Sequence, residues 1–220
     1  MSTGSLVLAQ WLLRFDDRTR VLYSLLATYA VNADIVVFGA TDPWVECLCV
    51  AAGANSVLTI EYNSLRYEHP LLRTLGVADF EDEMASEGSL AGSFDLAIAL
   101  SAFDHDGLGR YGERLHPDGD LRAMRTAWRA LKPSTGRLLL SVPIGPDLLA
   151  WNVHRRYGEL RLPMLLAGWR ELSRIGWDDD SRLTAPSDHR RRFEPLFVLE
   201  RNATADLALA SGEVSMHDEV

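Results

Sequence analysis

Cysteine is nearly absent from this chain of 220 residues: Cys47 and Cys49 are the only two. They stand two apart in a stretch of helical pattern, where side chains point to different faces and cannot pair. With no second pair and no Cys-x-x-Cys spacing, neither a disulfide framework nor a thiolate zinc site is available. Buried, inert thiols in a reducing compartment are expected. Basic residues are also in deficit, 22 against 31 acidic, for a net charge of -9. Proteins whose main partner is a nucleic-acid backbone neutralise phosphate with basic surface, so that class is set aside. No run approaches the roughly 20 apolar residues of a membrane helix. The amino-terminal apolar stretch lacks a basic leader and a small-residue cleavage site. A cytoplasmic protein with neither a nucleic-acid nor a membrane partner is expected.

What is present is ordinary globular material, 47% apolar and 24% charged, enough to bury one core without staples. No repeat or linker divides the chain. One domain is expected over 1–202, with helices in 1–31, a core in 35–200 and an acidic tail in 203–220. Helices are expected at 5–13 and 18–31, the second presenting Val21, Leu22, Leu25, Leu26 and Tyr29 as one stripe that caps a sheet. Strands are expected at 35–38, 57–60, 94–100, 137–142 and within 192–200, with a short one at 77–80. Helices are expected at 43–52, 71–75 and 121–131, and in two pieces over 147–176. Residues 81–87 read as a solvated loop or helix. Strands alternating with helices argue a single doubly wound α/β sheet, mostly parallel, with helices on both faces.

The pattern is densest in 35–63, which reads strand, turn, helix, strand, acidic residue: the arrangement by which an open α/β sheet builds a nucleoside pocket. Its turn is also poor in something. Gly39-Ala40-Thr41-Asp42-Pro43-Trp44 holds one glycine, where a dinucleotide site needs Gly-x-Gly-x-x-Gly. Pro43 removes an N–H donor and Asp42 puts negative charge where a pyrophosphate would sit. No phosphate-binding loop occurs anywhere. S-adenosylmethionine carries no phosphate, and Glu61 stands where a carboxylate can take both ribose hydroxyls. An ordinary turn and a solvated strand end are the competing interpretation.

The segments GATDPWVECLCVAAGANSVLTIEYN, SAFDHDGLGRYGERLHPDGDL, LKPSTGRLLLSVPIGPDLLAWNVHRRYGELRLPML and PLFVLER resemble the domain-of-unknown-function family 268. That family is itself similar to class I S-adenosylmethionine-dependent methyltransferases. The likeness spans roughly 35–200, and GLGRYG and HRRYG are its most specific blocks. It implies a class I methyltransferase-like, Rossmann-type fold. By this resemblance Gly39 matches the one retained glycine of the first methyltransferase motif, and Glu61 the acidic ribose ligand. Ser101, Ala102 and Asp104 match the loop after the fourth strand. Thr41 and Pro43 depart from that motif, which has further glycines there.

Methyl transfer is an in-line displacement, so a protein mainly positions donor and acceptor, and an oxygen acceptor also needs a base. His105 is the first candidate base, followed by His154 and Asp104; a histidine that merely holds the GLGRYG turn is the alternative. Asp104, His105 and Asp106 could be read as metal ligands, but consecutive residues seldom converge on one ion, and no metal is expected. The expected cofactor contacts are Gly39, Ala40, Thr41, Asp42, Trp44, Glu61, Tyr62, Ser101 and Ala102. Arg110, Tyr111, Arg155 and Tyr157 could rim an anionic or sugar-like small-molecule substrate. The function expected is S-adenosylmethionine-dependent methyl transfer to a small molecule, on oxygen and with a saccharide in view. A non-catalytic binding protein on the same fold and an NAD-dependent oxidoreductase are the rivals.

Overall fold

The computed structural model describes residues 17–40, 42–86, 90–179 and 193–202. The expected helix at 5–13, Thr41, the start of the strand expected within 192–200 and the acidic tail lie outside them. Helix α1 (Asp17–Tyr29) leads into strand β1 (Asp34–Phe38), then α2 (Trp44–Ala51), β2 (Ser56–Glu61), β3 (Leu72–Gly76) and α3 (Val77–Ala85). Strand β4 (Leu96–Leu100) ends in a single 3₁₀ turn, Phe103–His105, followed by α4 (Gly119–Ala130) and β5 (Arg137–Ser141). A small hairpin, β6 (Leu148–Ala150) and β7 (His154–Arg156), precedes the short α5 (Arg161–Leu165) and the last pair, β8 (Trp169–Ile175) and β9 (Leu196–Arg201).

The central sheet has seven strands in the order β3-β2-β1-β4-β5-β9-β8. Neighbours from β3 to β5 run parallel, while β9 is antiparallel to both β5 and β8. Alternate residues of each inner strand feed two cores. Ile35, Val37, Leu96 and Ile98 meet Leu22 and Leu26 of α1 and Val45, Leu48 and Cys49 of α2 on one face. Val36, Phe38, Ala97 and Ala99 meet Phe80 and Met84 of α3, Met124 and Ala127 of α4 and Leu165 of α5 on the other. Burial on both faces is why these strands read as unbroken apolar runs. The doubly wound, mostly parallel fold expected from the alternation is therefore present, with α1 capping one face.

Three local expectations are corrected. The span 71–75, expected as a helix, holds most of β3, and 77–80, expected as a strand, opens α3. Leu72 to Gly76 pair in parallel with Val57 to Glu61; that long-range ladder outweighs the local preference of an apolar quintet. The span 147–176, expected as two helical pieces, supplies instead a hairpin, one short helix and the edge strand β8. Asn152 turns the hairpin at φ 55°, a conformation asparagine tolerates better than most residues. Pro43 caps α2, and no side-chain cap bond forms. Cys49 is buried and its thiol is pushed up to about 12 by burial, but Cys47 is exposed, because only one side of α2 faces the sheet. Among the described residues, no helix is long and apolar enough to cross a membrane.

Candidate active site at the carboxyl edge of the sheet

The strand order reverses between β1 and β4, and the crevice beyond such a reversal is where open α/β sheets bind ligands. The two loops there nearly touch. Gly39 follows β1 at φ +73°, and a Cβ on it would lie 2.8 Å from the Ala102 Cβ. A side chain at Gly39 would thus meet both backbone strain and a neighbour. For Gly39→Ala we expect a loss of about 2 kcal/mol, or roughly 4–8 °C in Tm, measured by thermal unfolding. Ser101, at the end of β4, also has a left-handed φ of 51° and directs the chain into the 3₁₀ turn.

Glu61 ends β2 beside this point. Its Oε2 accepts from the Ala40 N–H at 3.0 Å, and its Oε1 accepts from the Tyr62 and Asn63 N–H groups at 2.9 and 3.3 Å. One carboxylate therefore fixes the turn after β1 to the end of β2, and still has lone pairs for a ligand's hydroxyls. Next to it opens a cleft of about 340 Å³, lined by Glu61, Tyr62, Asn63, Leu75, Gly76 and Asp79 among others. Asp79, on the first turn of α3, escaped the sequence reading because its span was assigned to a strand. Trp44 is 47% exposed at the start of α2, and Asp42 is exposed on the turn.

Beneath the turn lies another residue the sequence reading passed over. Glu46 is fully buried, and its Oε1 accepts from the Thr59 hydroxyl at 2.7 Å. Burial raises its carboxyl above the usual range, against the lowering pull of Thr59. A single acid inside an apolar helix stretch gave no signal of its partner 13 residues away.

After β4 the chain is held by ties from distant elements. His105 is 5% exposed, and its Nδ1 meets the Val153 carbonyl, which also accepts from the Arg110 guanidinium at 2.9 Å. A carbonyl only accepts, so this contact keeps a proton on Nδ1. Nε2 lies 3.5 Å from the buried carboxylate of Asp104. Both ring nitrogens thus face protein groups. His154 is buried on β7, its ring centroid 6.4 Å from that of His105. Arg110 is exposed with its guanidinium 5.5 Å from the centroid of the Tyr111 ring, itself 40% exposed. The Glu113 carboxylate organises this tip, accepting from the N–H groups of Gly109, Arg110 and Tyr111. Asp106, half-buried, accepts from the Tyr62 hydroxyl at 3.2 Å.

Arg155 and Tyr157, expected on a substrate rim, lie in the interior. Arg155 is 1% exposed; it donates to the Asp106 carbonyl at 2.6 Å and to the carbonyls of His116 and Pro117. Tyr157 donates to the buried Asp120 at 3.0 Å, and Arg161 meets the same carboxylate at 2.6 and 2.8 Å. Asp147 accepts from the N–H groups of Gly158, Leu160 and Arg161, which holds its carboxyl below the usual range despite an opposing desolvation. The HRRYG block is therefore tied internally, to the Asp106 carbonyl just before GLGRYG and to the carboxylates of Asp120 and Asp147. Among the described residues, no three His, Cys, Asp or Glu side chains converge as ligands for an ion.

Residues 32–200 match the family described as Caenorhabditis protein of unknown function, DUF268. The chain belongs to this family. Among curated proteins, none matches the sequence. Among solved structures, this family member is similar to the 1,6-didemethyltoxoflavin-N1-methyltransferase of Burkholderia thailandensis, solved with 1,6-didemethyltoxoflavin and S-adenosylhomocysteine. The TM-score is 0.59 at 18% identity, covering 83% of this chain and 77% of that one. It is also similar to an S-adenosylmethionine-dependent methyltransferase of Mesorhizobium loti, with a TM-score of 0.54 at 16% identity over 83% and 96% of the two chains. A third similar structure, the [4+2]-cyclase SpnF, has a TM-score of 0.56 at 14% identity over 82% and 80%. These likenesses establish a shared fold, on which more than one chemistry is built.

Proposed function

We propose that this DUF268 chain is an S-adenosylmethionine-dependent methyltransferase acting on a small hydroxylated molecule, with a saccharide as the leading acceptor class. One observation carries the cofactor reading: beside the strand reversal and at the mouth of an open cleft, Glu61 ties the turn after β1 to the end of β2, with Oε2 on the Ala40 N–H and Oε1 on the Tyr62 N–H. The residues present suit the cofactor. Glu61 would take the ribose hydroxyls, and Asp79 would accept from the adenine amine. Gly39 keeps the floor of the trough free of side chain where Ala102 approaches. Asp42 and Pro43 disfavour a pyrophosphate there, which argues against the nicotinamide alternative. The cofactor supplies an electrophilic methyl on a sulfonium; this chain's work is to orient the acceptor and take up a proton. Arg110 and Tyr111 offer an exposed cation and ring suited to a sugar's hydroxyls and apolar face. For proton uptake the candidate is the Nε2 of His105, steered by Asp104.

Calorimetric titration with S-adenosylmethionine and S-adenosylhomocysteine tests the cofactor reading, with saturable heat expected for both. Silence at near-millimolar ligand would remove it. A second reading, cofactor binding without methyl transfer, is favoured by the engagement of both His105 nitrogens. Binding combined with no turnover across an acceptor panel would select it.

A further inference from the structure

Tyr62 and Asp106 come from opposite banks of the crevice. Tyr62 follows the last residue of β2, Asp106 follows the 3₁₀ turn after β4, and β1 lies between those strands in the sheet. Their 3.2 Å hydrogen bond therefore links the strand ends on either side of β1. The two partners differ in freedom. The Asp106 carbonyl accepts from the buried Arg155 at 2.6 Å, and its N–H donates to the Phe103 carbonyl. Gly119 packs so closely that a Cβ there would come within 2.5 Å of the Asp106 carbonyl oxygen. Tyr62 is 38% exposed, lines the cleft, and needs only side-chain rotation to leave. One is a fixed post and the other a hinged arm.

We infer that Tyr62 and Asp106 form a clasp across the cofactor trough, with the tyrosine ring closing over the bound nucleoside and Asp106 latching it. This rests on the cofactor reading above and adds Asp106 to that site as a positioning residue. The latch is tunable by protons. Asp106 has its carboxyl pushed up to about 8, first by burial. Glu113 and Asp104 reinforce the rise, whereas the Tyr62 hydroxyl and Arg155 oppose it. The Tyr62 hydroxyl is itself raised by burial, by Asp106 and by Glu113 and Glu81, so it stays a donor throughout. Ionised Asp106 is the stronger acceptor for that hydroxyl, so the clasp tightens as pH rises through about 8.

The dissociation rate of radiolabelled S-adenosylhomocysteine, followed between pH 6.5 and 9.5, reads the clasp directly. For the wild-type chain, release should slow several-fold as pH rises. Tyr62→Phe and Asp106→Asn should each release about tenfold faster at high pH and lose the pH dependence. The double variant should match either single one, because one bond is lost in each case. Off-rates within twofold of wild type, or slower release from either variant, would overturn the clasp while leaving the cofactor reading standing. A wild-type chain that takes up no S-adenosylhomocysteine removes both. Thermal unfolding of Tyr62→Phe, which retains the ring, separates a lost latch from a damaged fold.

Discussion

Glu61→Ala should weaken S-adenosylhomocysteine binding by about 100-fold to 1,000-fold. A hydrogen bond to a charged group contributes roughly 1.5–3 kcal/mol; two to the ribose, each near the low end of that range at a solvent-open edge, amount to about 3–4 kcal/mol. The same substitution releases the Ala40 N–H, now held at 3.0 Å, and frees the turn after β1. Ordering that turn would then fall on the ligand, which lowers affinity further. Calorimetry on the variant beside wild type measures the effect, and Glu61→Gln separates its parts. Glutamine keeps one acceptor oxygen but has no charge, so we expect a loss nearer tenfold. Equal affinities for Glu61→Ala and wild type would place the nucleoside elsewhere and remove the basis of the proposed function.

The largest effect on stability is expected from Asp120→Ala. Asp120 is fully buried between Arg155, Arg161 and Tyr157, with its two oxygens accepting at 2.6 to 3.0 Å. Removing one member of a buried ionic group leaves its partners charged without compensation, at a cost of about 3–5 kcal/mol. For a chain of this length that corresponds to a fall of roughly 10 °C in Tm, read by thermal or urea unfolding. Loss of Asp120 also loosens Arg155, which holds the Asp106, His116 and Pro117 carbonyls. Limited proteolysis should therefore find new cleavage within 106–118 in the variant. Tyr157→Phe removes one donor from that carboxylate and leaves the arginines in place, and should cost about 1.5–3 kcal/mol.

The parts of the fold visible in the sequence share one property: local chemistry alone decides them. Ile35 to Phe38, Val57 to Ile60 and Leu96 to Leu100 are apolar runs too short for helices and bounded by turn residues, and each is a strand. Gly53, at φ +95°, ends α2 where the pattern placed a stop. Glu61 was legible because strand, turn and helix put its position within reach of the turn. The hairpin β6–β7 and the edge strand β8 were not, since their pairing partners are supplied by the tertiary fold. Trp169 to Ile175 is mostly exposed and carries no alternation; only β9 makes it a strand. Glu46 and Asp120 carried no signal in the sequence, because their partners Thr59, Tyr157 and Arg161 come from other elements.

Arg155 and Arg110 mark the boundary between the two kinds of knowledge. Both are arginines close to a tyrosine in the sequence, and by residue type either could face a substrate. Burial separates them: Arg155 spends its guanidinium on three backbone carbonyls, while Arg110 remains exposed. Sequence by itself determined the doubly wound sheet, the strand-turn-strand crevice and the carboxylate at its edge, because periodicity and turn chemistry are properties of neighbouring residues. Which charges point into that crevice and which hold the protein together was decided only by the tertiary structure. The reason is physical: a buried charge is stable only beside its partner, and here the partners lie 37 to 49 residues away.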